Sequence, residues 1–186
     1  MADVYLPVES QQRLIRIARQ TLEKFVSRSD CECGESADPN LETCLYGAFV
    51  TLYKKKVLRG CIGTCIPTSP LYETIIAMTE AAASRDRRVR PIQADELNQI
   101  RIDISVLSPL EESTDPLSLE IGKHGLYVSR DSKRGVLLPQ VAAEYDWDIE
   151  TFLEQTCVKA ALPKDAWRWP GTRVSCFTAL IIEEEK

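Results

Sequence analysis

The stretch Leu58-Arg59-Gly60-Cys61-Ile62-Gly63-Thr64 gathers residue types that can do chemistry together. In an extended segment side chains alternate, so Leu58 and Ile62 face one way while Arg59 and Cys61 share the other face. A guanidinium beside a thiol favours the thiolate, the nucleophilic form of cysteine. Two glycines within four positions weaken a strand by about 0.5–1 kcal/mol each relative to alanine, which marks Gly60 and Gly63 as places where something approaches the main chain. The amides around them offer an anion-binding concavity for a carboxylate, a phosphate or an oxyanion. Cys61 is the candidate nucleophile, and Arg59, Gly60, Ile62 and Gly63 are the candidate ligand contacts. A blander account stands beside this one: free cysteine is often a small buried hydrophobe, and Arg59 bridges to a carboxylate such as Asp103 or Glu111 and pins the strand.

A cysteine nucleophile needs a proton acceptor, and His124 is the sole histidine of the chain. It lies in Gly122-Lys123-His124-Gly125, a turn, and is the candidate general base; Asp103, Glu120 or a main-chain carbonyl would orient it. A single histidine excludes catalytic zinc sites and iron sites built on two or more. The seven cysteines are Cys31, Cys33, Cys44, Cys61, Cys65, Cys157 and Cys176, an odd number in a chain long enough to fold without disulfides. Reduced thiols are expected. The close pairs Cys31/Cys33 and Cys61/Cys65 are not CxxC, and no CxxxCxxC, GxGxxG, GxxxxGK[ST] or GxSxG occurs. No metal and no cofactor is expected.

These side chains must be positioned by a fold, and the hydrophobic spacing outlines one. Ser10 is read as the cap of a helix with Leu14, Ile17, Ala18, Leu22 and Phe25 inward. Residues 29–43 are polar and aperiodic and read as an exposed loop. Tyr46 to Tyr53, a lysine turn, and Val57 to Ile62 form a hairpin. Ser69-Pro70 starts a helix with Leu71, Ile75, Met78 and Ala82 on one face, ending near Arg85. Arg85-Asp86-Arg87-Arg88-Val89-Arg90-Pro91 is a basic stretch, read as a solvated loop or an anion grip. Ile102, Ile104 and Val106 alternate as a strand, which Glu111 to Pro116 breaks. A second hairpin pairs Leu126–Val128 with Val136–Leu138, helices start at Pro139 and after Asp148, and 174–182 is one closing strand. Hairpins without βαβ alternation point to an α+β fold with a mainly antiparallel sheet packed with helices.

The length of 186 residues argues for a single domain spanning residues 10–182. The net charge is −5, from 28 acidic and 23 basic side chains, which disfavours a surface made for phosphate backbones. No apolar run of eighteen residues and no signal-peptide pattern occurs, so no membrane association and a cytoplasmic location are expected.

The ordered blocks Gly47-Ala48-Phe49-Val50-Thr51-Leu52, Leu58-Arg59-Gly60-Cys61-Ile62-Gly63, Gly122-Lys123-His124-Gly125, Leu137-Leu138-Pro139-Gln140-Val141-Ala142, Trp147-Asp148 and Lys159-Ala160-Ala161-Leu162-Pro163 resemble the AMMECR domain family. The resemblance implies two unequal lobes, with the Leu-Arg-Gly-Cys-Ile-Gly segment at a cleft between them. It also implies partnership with Memo-like proteins and radical S-adenosylmethionine proteins. Where relatives carry Asp-Pro-Arg-Phe-Pro-Pro, this chain has Asp86-Arg87-Arg88-Val89-Arg90-Pro91. Three readings of function result. The first is a ligand-binding or adaptor subunit, taking a small anionic ligand, in a modification pathway. The second is an enzyme using Cys61 as nucleophile or covalent carrier with His124 as base. The third is a nucleic-acid-associated protein acting through Arg85 to Arg90, which the overall acidity opposes.

Overall fold

The computed structural model describes residues 3–28, 38–43 and 46–185. They form two compact units: one takes the described residues from 5 to 107 and from 180 onward, the other takes those up to 4 and from 108 to 179. Each unit has its own four-stranded sheet.

The unit of Cys61 begins with helix α1 (Val8–Ser27), which starts two residues before Ser10 and buries that serine together with Leu14, Ile17, Ala18 and Leu22. Phe25, expected inward, stays 38% exposed. Within the segment read as an exposed loop, 29–37 lie outside the described residues, while Pro39–Glu42 is a short helix α2 capped by the Asp38 carboxylate, with Leu41 fully buried. The hairpin β1 (Gly47–Lys54) and β2 (Val57–Thr64) turns through Lys55 and Lys56, both at positive φ. That left-handed pair matches the twist of a two-residue hairpin. Helix α3 (Leu71–Ser84) and strand β3 (Ile100–Leu107) follow. β1 pairs antiparallel with both β2 and β3. Val50, Leu52, Ile102 and Ile104 have no exposed surface, and neither do Leu14, Leu22, Leu71 and Ile75 from the helices. This alternation leaves Thr51 and Asp103 on the opposite face.

In the other unit the segment expected only to break the strand contains a two-residue strand β4 (Glu111–Glu112), and hairpin β5 (Gly125–Arg130) and β6 (Lys133–Leu137) is longer than expected. Helix α4 (Pro139–Glu144) opens on proline, and α5 (Ile149–Lys159) is capped by the Asp148 carboxylate accepting from the Thr151 amide at 2.8 Å. Phe152, Leu153 and Cys157 pack with Leu126 and Val128. The closing strand is two strands, β7 (Arg173–Phe177) and β8 (Ala179–Glu183), which serve different sheets. Thr178 is the junction; its amide donates to Ser108 Oγ at 3.0 Å and its carbonyl accepts from the Ser108 amide at 3.0 Å. The sheet orders are β2-β1-β3-β8 and β4-β7-β5-β6.

Candidate functional site

β2 is an edge strand, and the pairing fixes what its residues face. Thr64, Gly63, Ile62, Cys61 and Gly60 lie opposite Ala48 to Leu52, but Leu58 lies opposite Tyr53. Arg59 is the extra residue of a bulge, which breaks the alternation expected to leave it on the Cys61 face. Its guanidinium goes to Glu96: Nε donates to Oε1 at 3.1 Å and Nη2 to Oε2 at 2.8 Å. Further bonds reach the carbonyls of Arg90 and Pro91. Four of its five N–H donors thus have partners. The carboxylate that pins Arg59 is Glu96, and neither Asp103 nor Glu111. Lys54 joins at 3.0 Å, and the Arg59 bidentate pair, helped by Lys54 and the Gln93 amide, holds the Glu96 carboxyl down at about 2.

The glycines admit close neighbours. A Cβ on Gly60 would lie 2.2 Å from the Ala82 carbonyl oxygen of α3, and one on Gly63 would lie 2.2 Å from Cγ of the Phe49 ring. Neither glycine has positive φ. The approach inferred from the sequence is therefore that of a helix backbone on one face and of an aromatic ring on the other.

Cys61 is half-buried, whereas Cys65, Cys157 and Cys176 are buried. Its Sγ accepts from Thr51 Oγ1 at 3.3 Å. The main chain at Cys61, unpaired on the edge side, is held by side chains from the basic stretch: the amide donates to Asp86 Oδ2 at 2.9 Å and the carbonyl accepts from Arg88 Nη2 at 3.3 Å. Asp86 and Arg88 are themselves joined at 2.7 Å. The Arg88 hydrogen bond holds the Asp86 carboxyl well below the usual carboxylate range, and Arg88 is held charged by Asp86 first, with the Cys61 side chain adding to it. Of the two arginines it is Arg88, and not Arg59, that bonds to Cys61, through its carbonyl. Arg85, Arg87, Arg88 and Arg90 are all exposed, and Arg88 makes its bonds to Asp86 and Cys61 from the surface.

Ile62 lies opposite Val50 and so on the α3 face, away from the thiol. His124 is in the other unit, in a turn where its Nδ1 accepts from the Glu120 amide at 2.9 Å. That bond leaves the proton of the neutral ring on Nε2. Asp103 lies opposite Thr51 on β3, so Cys61, Thr51 and Asp103 form one row across three strands. Reasoning from sequence missed Glu96, Thr51 and the Asp86–Arg88 clamp, because each depends on register or on a contact tens of residues apart. Among the described residues no group of three or more histidine, cysteine, aspartate or glutamate side chains is placed to hold a metal; Cys31, Cys33 and Cys44 lie outside them. No described helix is long and apolar enough to cross a membrane.

The site belongs to a class of mixed α+β proteins built on two antiparallel sheets, with a glycine-flanked cysteine on an edge strand. The AMMECR1 family model matches residues 15–182, and the chain belongs to that family. It is 40% identical over 183 residues to a protein of Thermococcus gammatolerans, covering 92% of this chain and 89% of that one. It is also 40% identical over 189 residues to a protein of Methanothermobacter thermautotrophicus, covering 97% and 98%. The crystal structure of the uncharacterized protein PH0010 from Pyrococcus horikoshii matches with a TM-score of 0.88 at 37% identity, over 95% of this chain and 92% of that one.

Proposed function

We propose that the protein is a ligand-binding or adaptor subunit that works with Memo-like and radical S-adenosylmethionine proteins in a modification pathway, with the segment around Cys61 as its recognition element. The observation that carries this reading is the clamp on Cys61, whose amide and carbonyl are both held by the Asp86–Arg88 pair. A strand so fixed presents its thiol side in one conformation before any ligand arrives, and binding then costs little ordering entropy. The immediate partner of the thiol is a hydroxyl, and the adjoining arginines are matched by Glu96 and Asp86. Such surroundings suit recognition better than activation of a nucleophile.

The second reading, a cysteine-dependent enzyme, draws on the partial exposure of Cys61 among otherwise buried described thiols. One experiment separates the two. The protein is mixed with a purified Memo-like protein and a purified radical S-adenosylmethionine protein at micromolar concentration and run on a sizing column. The adaptor reading expects a complex that survives Cys61→Ser and is lost with Cys61→Tyr, each variant checked for an unchanged melting temperature. No complex with the wild-type chain, or a complex indifferent to Cys61→Tyr, would reject it.

A further inference from the structure

The sheet that carries Cys61 runs β2-β1-β3-β8 and so has two edges, β2 on one side and β8 on the other. At the β2 edge the main chain of Cys61 is already taken by Asp86 and Arg88. The β8 edge differs. The Ser108 amide donates to the Thr178 carbonyl and the Glu184 amide to the Ile102 carbonyl, both at 3.0 Å. These two bonds lie equally far apart along both strands, so β8 runs antiparallel to β3 without a slip. In an antiparallel ladder every second residue turns its N–H and C=O to one neighbour, and the residues between turn theirs away. Leu180 and Ile182 therefore face β3, and the amides and carbonyls of Ile181 and Glu183 face outward, where no strand of the described residues pairs with them.

A groove of about 460 Å³ opens beside that edge, with Val8, Gln12, Ile15 and Arg16 of α1 along one wall and Ile181 to Glu185 along the other. The helix residues recur at the spacing of a single helix face. Five consecutive residues line one cavity where the cavity follows the strand's edge, since side chains by themselves alternate between the two faces. Val8 is 66% exposed and Ile181 44%, while Ile182 is buried. Open main-chain groups beside apolar surface form an edge that proteins ordinarily guard with charge or a covering segment, as β6 of the other sheet does by opening on the exposed Lys133 and Arg134. The groove is also acidic. Glu184 is matched by Arg19 and the Ile102 amide, and Glu183 reaches Arg101 only at 3.8 Å, a guanidinium that Asp103 already holds at 3.0 Å. Glu183 and Glu185 thus stand against Arg16, the one other cation among the described residues that line the groove.

We infer that β8 is a docking edge, at which an extended segment of a partner protein adds to the sheet as a fifth strand and bonds through its main chain to Ile181 and Glu183. Donors and acceptors alternating along an edge are matched by another extended backbone, which sets the class of occupant. Its side chains alternate as well. Glu184 bonds Arg19 of α1, so residues of that parity mark the α1 side of the sheet. Side chains of the added strand on that side enter the groove against Val8, Ile15 and Ile182 and are apolar. Those on the other side stand beside Ile181, Glu183 and Glu185 and include lysine or arginine. A second copy of this chain would bring no such cation, because β8 reads Ala-Leu-Ile-Ile-Glu. This surface lies at the far edge of the sheet from Cys61 and goes beyond the reading given above.

The probe is a synthetic peptide, Lys-Val-Lys-Ile-Lys-Val-Lys with acetylated and amidated ends, titrated into the isotope-labelled full chain and followed by NMR. Saturable shifts are expected below about 1 mM peptide. Hydrogen exchange at the Ile181 and Glu183 amides should slow by about tenfold or more, while Leu180 and Ile182, already bonded to β3, change less. Two further peptides, one N-methylated on its lysines and one on its apolar residues, keep the side chains and the charge. Only alternate N–H groups of an added strand face β8, so one isomer should bind like the parent and the other at least about tenfold more weakly. Val8→Lys, and separately Glu183→Gln combined with Glu185→Gln, alter exposed side chains and should each weaken the parent peptide by roughly three- to tenfold at an unchanged melting temperature. No saturable binding, equal affinity of the two isomers, slowed exchange elsewhere than at Ile181 and Glu183, or an affinity unmoved in both variants would overturn the inference. So would a free chain that is dimeric with those two amides already protected, which would give the edge to a second copy. Loss of the complex in the preceding section would leave it standing, since nothing in this test touches Cys61.

Discussion

Cys61 and Cys65 are four residues apart and chemically distant. Burial pushes the Cys65 thiol up to about 12, and burial likewise raises Cys157 and Cys176. Those three are protonated and enclosed at neutral pH, so a reagent that needs thiolate reaches them only when the fold opens. Cys61 is half-buried and within reach of a reagent, and its sulfur accepts a hydrogen bond from Thr51. In the native state iodoacetamide should alkylate Cys61 at least about tenfold faster than Cys65, Cys157 or Cys176, and the difference should vanish in denaturant. Peptide mapping after timed quenching measures this; equal native rates among the four would show that Cys61 shares the enclosure of the others.

At the scale of elements, β2 meets α3 at Gly60. The Ala82 carbonyl, which stands 2.2 Å from where a side chain would begin, belongs to a helix backbone and cannot rotate away. Gly60→Ala must push α3 off the sheet or bend β2, and overpacking of this kind costs about 1–3 kcal/mol. Urea denaturation should report that loss, and a change within experimental error would mean that α3 does not seat against β2 here. This contact also shows what could be read from the chain. Two glycines in a strand announced a close approach, because that signal is local in sequence. The bulge at Arg59 was not legible, since it exists only relative to Tyr53 and Leu52 on the partner strand. Glu96 stands 37 residues from the guanidinium it binds, and no spacing rule links them. The division of the last strand at Thr178 was hidden for a related reason: 174–182 is continuously β-prone, and which sheet each half joins is decided by distant partners. The basic stretch was legible as charge and not as structure, because the buried Asp86 in its midst and the exposed Arg88 bind the Cys61 main chain, a contact some 25 residues away in sequence.

Over the whole molecule, acidic side chains outnumber basic ones, yet several carboxylates sit against fixed cations, and this governs the response to acid. Glu96 lies between Arg59 and Lys54, which hold it at about 2 against an ordinary 4.5, and Asp86 is lowered by Arg88. A carboxyl whose pKa is depressed by folding adds stability that is complete above its unfolded value and is lost as pH falls through the folded one. Asp103, raised by burial, acts with the opposite sign, since the folded chain takes up its proton more readily than the unfolded chain. Asp148, lowered by the Thr151 hydrogen bonds at the start of α5, is a third depressed carboxyl, and three depressed groups against one raised group leave a net loss towards low pH. The urea midpoint should therefore hold steady near neutrality and drop between about pH 4.5 and pH 2, with Glu96 a main source. Replacing Glu96 with Gln removes the negative charge and one of the two oxygens that accept from Arg59, and should lower stability at neutral pH by about 1.5–3 kcal/mol, the range for hydrogen bonds to charged groups. The same replacement removes the group that titrates, so the variant should lose less of its remaining stability on acidification than the wild-type chain does. If both chains lose stability equally over that interval, the Arg59–Glu96–Lys54 cluster contributes nothing to acid sensitivity.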